Sequence, residues 1–128
     1  MEIHSETVNG IFVVYPQGPL DADAAPRLTE ISARMAAHDG QCSAIALADV
    51  SFVDSTGIGA LVSIHKQLKA FDKTVCFVGA KGQPADMLSF LRIDQVIPTY
   101  PSLDDMRRQT CTVNGSDALP LAQGIKWD

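Results

Sequence analysis

One segment constrains the fold of this chain more than any other. An apolar run, SAIALA at Ser43 to Ala48, leads into the turn FVDSTGIGA, Phe52 to Ala60. A stretch with helical rhythm follows, in which Ile58, Leu61, Val62, His65 and Leu68 share one face while Lys66, Gln67 and Lys69 point elsewhere. The apolar run lacks alternation, as expected of a central strand covered on both faces, and the glycine-bearing turn after it favours strand over a helical piece. A buried strand feeding an amphipathic helix beginning near Thr56 is the unit of an α/β sheet, and the rest of the chain has to be compatible with it.

The flanking segments are compatible. Ile3 to Thr7 and Ile11 to Tyr15 bracket Asn9-Gly10, a pair that accepts positive φ at both central positions of a tight turn, so a β-hairpin opens the chain. After Gly18, the segment PLDADAAPRL offers Asp23 as N-cap and Pro26 for the first turn of a helix carrying Leu28, Ile31 and Met35. That helix ends near His38, before Asp39-Gly40. Thr74 to Val78 reads as a second buried strand closed by Gly79. A helix over Pro84 to Arg92 presents Met87, Leu88 and Leu91, and a short strand runs from Gln95 to Thr99 among the prolines 98 and 101. Ser102 and Asp105 form a capping box for a last helix reaching about Gln109. Alternating strand and helix after a hairpin predicts one α/β domain over residues 1–110. Residues 111–128 break the pattern and form an extension or arm that packs through Leu119, Leu121, Ile125 and Trp127.

Composition removes several classes of function. The chain has 128 residues, 46% of them hydrophobic, which suits a single core. A net charge of -5 and a pI near 5.0 oppose phosphate-backbone binding, so no nucleic acid partner is expected. The longest apolar run near the start, Ile11 to Tyr15, is too short for a leader or a membrane span, which predicts a cytoplasmic protein without direct membrane insertion. Cys42, Cys76 and Cys111 are widely spaced and read as buried or incidental thiols, and His4, His38 and His65 lack metal-ligand spacing, so no metal or cofactor is expected. His65 reads as packed.

The turn itself fits no common catalytic motif. A Walker A loop needs lysine after its second glycine, where this chain has Ala60; no G-x-S-x-G elbow is present; and two hydroxyl residues separate Asp54 from Gly57 where an aspartic protease has one. An enzyme using Asp21, Asp23 and Asp54 as acids or bases lacks a histidine partner for Ser55, a phosphate-cradling lysine and a metal cluster. N-capping by Asp54, Ser55 or Thr56 explains one oxygen and leaves the second hydroxyl, Gly57 and Gly59 without a task. Each glycine costs a helix about 0.8 to 1 kcal/mol relative to alanine, so close approach to the sheet or to a partner should compensate. A phosphoryl group on Ser55 would sit at the positive end of the helix dipole, which tolerates it, while its charge of about -1.5 to -2 beside Asp54 would repel a partner docked flush against the turn.

These residues resemble a family. The run DVSFVDSTGIGALVSIHKQLKA, Asp49 to Ala70, is similar to the signature of STAS domains, and especially of the stand-alone bacterial anti-anti-sigma proteins. GPLDADAAPRL, Gly18 to Leu28, looks like the family's Gly-x-Leu-Asp turn, and the similarity extends from the hairpin to about Met106. The resemblance implies a mixed sheet with about four helices packed against it and a non-catalytic role in partner switching, as an anti-sigma factor antagonist. The unphosphorylated protein would bind an anti-sigma factor that is also a serine kinase of the histidine-kinase-like ATPase fold, phosphorylation at Ser55 would release it, and a PP2C-type phosphatase would reset the cycle. By the same matching Thr56 is a secondary acceptor, and Asp21, Asp23, Asp54, Ser55, Thr56, Gly57 and Ile58 form the partner-binding set. Pro19 departs from the acidic or small residue common at its position and would stiffen the Asp21 loop. The competing expectation is a STAS subunit that constitutively clamps an ABC-type lipid transport complex or another membrane-associated assembly.

Overall fold

The computed structural model describes residues 2–108. Strands β1 (Glu2–Val8) and β2 (Ile11–Leu20) pair antiparallel, with Val8 opposite Ile11 at the closed end. The two loop residues between them, Asn9 and Gly10, have φ of 51° and 84°, the conformation expected of this hairpin turn. β2 runs five residues past the expected end at Tyr15, through Pro16 and Pro19. It can do so because it changes partner on the way. Phe12–Val14 pairs in parallel with β3 (Cys42–Ala46), and Gly18–Leu20 pairs in parallel with β4 (Val50–Val53), with a register shift between Gly18 and Pro19 and Gly18 at φ 100°. β5 (Thr74–Val78) pairs with β3, and β6 (Thr99–Tyr100) with β5, both parallel, giving the order β1-β2-β3-β5-β6 with β4 beside β2.

Helices α1 (Ala25–Ala37), α2 (Ser55–Ala70), α3 (Gly82–Phe90) and α4 (Leu103–Met106) complete the fold. Leu28, Ile31 and Met35 of α1, and Ile58, Leu61, Ile64 and Leu68 of α2, pack with Leu88 of α3 against Val14, Ile45 and Phe77 of the sheet. Ile11, Val13, Cys42, Ala44, Cys76 and Val78 form a second buried cluster with Met106 of α4. β3 is buried from Cys42 to Ile45 and contributes to both clusters, as a central strand should.

Three details correct the reading of the sequence. β4 is a separate strand, because Asp49 breaks the apolar run after β3 and its carbonyl accepts from Gly18 N–H, after which the chain pairs with β2. Ile64 takes the core position on α2, while His65 is half-buried at the edge of that face. No strand runs from Gln95 to Thr99. Ile93–Gln95 is a 3₁₀ turn, Ile93 and Ile97 are buried four residues apart with Ile97 N–H donating to Ile93 C=O, and Val96 between them is 66% exposed. α4 is capped as expected, Ser102 Oγ accepting from Asp105 N–H at 3.2 Å and donating to the Asp105 carboxylate at 3.1 Å, and helical backbone continues past Met106 as a π turn through Arg107 and Arg108. Gln109 and the arm expected over 111–128 lie outside the described residues.

Candidate functional site

The turn FVDSTGIGA is held between β2 and α2. Leu20 pairs with Val53, and Asp54 N–H donates to Leu20 C=O at 3.3 Å. Asp54 is extended, at φ -102° and ψ -174°, and its Oδ1 accepts from Gly57 N–H at 2.9 Å. Of the three candidate caps, Asp54 is therefore the one used, and α2 begins at Ser55. The hydroxyls of Ser55 and Thr56 stand exposed on the first turn, and that of Ser55 makes no hydrogen bond among the described residues.

The two glycines have different surroundings. A Cβ on Gly57 would lie 2.3 Å from Leu20 C=O oxygen and 2.9 Å from Leu20 Cγ, so only glycine lets the helix approach β2 this closely. A Cβ on Gly59 would meet nothing within 4 Å. Gly59 instead lies in an open groove whose walls include Ala22, Ala25 and Pro26 on one side and Thr56 and Ala60 on the other.

Asp21, not Asp23, makes the side-chain hydrogen bonds that lead into α1. Asp21 Oδ1 accepts from the N–H groups of Asp23 and Ala24 at 3.1 and 3.2 Å, while its carbonyl accepts from Ala25 N–H at 2.9 Å. This turn moves the cap position of α1 to Ala24, which has helical angles and no capping side chain, so Asp23 is exposed and does not cap. Pro26 occupies the first turn as expected. The fold thus brings the Asp21 turn and the Asp54–Thr56 turn to the ends of the paired strands β2 and β4. Gly57 and Ile58, placed by resemblance in the partner-binding set, are buried, and Ile58 belongs to the core at 8% exposure.

Two neighbours of this turn escaped the sequence reading. Phe52, directly before Val53, is 44% exposed on β4. Gln83, thirty residues along the chain, hydrogen-bonds both backbone groups of Val53. An aromatic residue in an edge strand could have drawn attention to Phe52, but only the tertiary fold brings Gln83 here. Further along α2, burial lowers the pKa of His65, with the charges of Lys69 and then Lys66 adding to the effect. Among the described residues no cluster of three or more His, Cys, Asp or Glu side chains could hold a metal ion, and no helix is long and apolar enough to cross a membrane.

Comparison with known proteins places this geometry. The anti-sigma-B factor antagonist of Staphylococcus epidermidis is 32% identical over 81 residues, covering 62% of this chain and 75% of that protein. The solved structure of an anti-sigma factor antagonist from Mycobacterium paratuberculosis superposes with a TM-score of 0.77 at 24% identity, covering 86% of this chain and 93% of that one. The Bacillus protein SpoIIAA shares the fold in its unphosphorylated form, with a TM-score of 0.71 at 18% identity and 91% and 99% coverage, and in its phosphorylated form, at 0.65, 15%, 84% and 99%. Residues 2–106 match the family model described as STAS domain, and the chain belongs to the STAS domain family.

Proposed function

We propose that this protein is an anti-sigma factor antagonist that works by switching partners and catalyses nothing itself. Unphosphorylated, it binds an anti-sigma factor through the surface around Asp21, Asp23, Asp54, Ser55 and Thr56, with Gly57 and Ile58 setting its shape. The partner is a serine kinase of the histidine-kinase-like ATPase fold. It transfers phosphate to Ser55, with Thr56 as the secondary acceptor, and a PP2C-type phosphatase removes it.

The observation that carries this reading is the division of labour in the first turn of α2. Asp54 caps the helix, and the adjacent Ser55 hydroxyl is exposed and uncommitted. A modifying enzyme can therefore take Ser55 without removing the cap. The helix N-terminus offers backbone N–H groups and a favourable dipole to the product. The added charge, about -1.5 to -2, lies next to Asp54 and on a protein of net charge -5, which is the electrostatic basis for release of a closely docked partner.

Binding of the purified kinase partner to two variants tests the proposal. Ser55→Ala should fold normally and hold the partner in the presence of ATP, whereas Ser55→Asp should bind more weakly. Equal affinity of the two variants by calorimetry, with both folded, would argue against phosphorylation-controlled binding.

A further inference from the structure

Among the described residues β4 has a strand partner on one side only. It pairs with Gly18–Leu20 of β2, while β5, which runs along β3, ends at Val78. Val53, the last residue of β4 and the one before Asp54, is 1% exposed, so its backbone N–H and C=O need partners inside the protein. In a strand both groups of one residue point to the same side, and Asp54 N–H already turns toward β2. The opposite side is filled by one side chain. Gln83 Oε1 accepts from Val53 N–H at 2.8 Å, and Gln83 Nε2 donates to Val53 C=O at 2.8 Å.

A primary amide carries the same donor and acceptor as a peptide group, and Gln83 here takes the place of a missing strand. Asparagine is a methylene shorter, leucine offers neither bond, and an ionised glutamate accepts but cannot donate. The residue sits in the first turn of α3, beyond a loop in which Gly79 and Gly82 both have positive φ, 72° and 62°. From Val53 the connections run directly into the acceptor turn: Asp54 N–H to Leu20 C=O, and Asp54 Oδ1 to Gly57 N–H.

We propose that Gln83 is a positioning residue for the Ser55 site, a latch that ties α3 to the β4–α2 junction and holds the Asp54 cap in place. Its functional consequence rests on the reading of Ser55 as a phosphoacceptor; its structural consequence does not.

Hydrogen exchange on the full chain separates the two. Gln83→Leu should speed exchange at the amides of Val53, Gly57 and Ile58 by about tenfold or more, because a buried donor and acceptor lose their partners and the junction opens locally. Val75→Ala, a core truncation on β5, serves as a control that lowers the melting temperature without touching the latch. It should speed exchange across β3 and β5 without singling out the junction. The same exchange pattern in both variants would overturn the latch.

Gln83→Glu supplies a second readout. At neutral pH it should behave like Gln83→Leu. Below about pH 4.3 the protonated acid regains both donor and acceptor, and exchange at the junction, corrected for its intrinsic pH dependence, should slow toward that of the unaltered chain. Junction exchange in Gln83→Glu that ignores pH would contradict the latch. With the kinase partner in hand, Gln83→Leu should slow phosphorylation of Ser55 and Val75→Ala should not; equal rates would overturn the functional consequence. Absence of phosphorylation in the unaltered chain would overturn the acceptor reading alone, and the exchange comparison would still decide the latch.

Discussion

Gly57 and Gly59 stand two residues apart in α2 and answer to different demands, which opposite stability changes should reveal. At Gly57 the helix approaches Leu20 so closely that a methyl group would meet a carbonyl oxygen at 2.3 Å. Gly57→Ala should therefore cost about 1 to 3 kcal/mol in urea unfolding, the range of overpacked sites. Gly59 has open space in place of that contact, so Gly59→Ala should gain about 0.8 to 1 kcal/mol from helix propensity. Asp54→Ala removes the cap of α2 and should cost about 1 kcal/mol, while Asp54→Asn should retain most of it. The sequence offers three acceptors at this turn where one is enough for a helix start. It does not show which one caps, because aspartate, serine and threonine all suit the position. The pairing of β4 with β2 leaves Asp54 extended and decides the matter. The same limit applies at α1, where Asp21 and Asp23 are equivalent by residue type and only the turn at Asp21 distinguishes them.

At the scale of elements, the hairpin, α1, α2 and the Ser102 cap are legible from turn chemistry and apolar period, and β3 and β5 from short continuous apolar runs beside turn residues. The failures fall where these signals disagree. Val96 and Ile97 look like part of a strand by composition, but Ile97 is buried with Ile93 at a four-residue spacing, and Pro98 contributes to the sheet through its carbonyl, which accepts from Phe77 N–H at 2.9 Å. β4 is hidden because its pattern, Val50 and Val53 buried with Ser51 and Phe52 exposed, has no strand period. Gln83 is invisible for the same reason in reverse: a polar residue in a first helical turn carries no sign of a partner thirty residues back. The join between α3 and the 3₁₀ turn carries a testable strain. Arg92 adopts φ 61°, a left-handed conformation that costs a non-glycine residue roughly 1 to 2 kcal/mol. Arg92→Gly should relieve it, with part of the gain offset by a more flexible unfolded chain, for a net stabilisation of about 0.5 to 1 kcal/mol in chemical denaturation.

At the scale of the whole molecule, two titrating groups contribute to the pH dependence of stability. Burial lowers the pKa of His65 and Lys69 and Lys66 lower it further, so the unfolded chain takes up this proton before the folded one does. Stability present above the unfolded value of about 6.5 is then lost as pH falls from there through the lower folded value, and His65→Gln should flatten that part of the curve. Tyr15 acts at the other end. Burial, the hydrogen bond to Glu6 at 2.7 Å and the charge of Glu6 push its pKa up to about 12. The unfolded chain ionises first, so stability should fall as pH rises above about 10, and Tyr15→Phe should remove this contribution. Neither group lies in the Ser55 turn, where the central claim is placed. The most direct test of that claim is to map phosphate on the full chain after incubation with ATP and an extract of its source cells. Phosphate is expected on Ser55 and should be absent from the Ser55→Ala variant. An unmodified Ser55, in an extract whose serine kinases modify a reference substrate, would contradict it and favour a domain that clamps its partner constitutively.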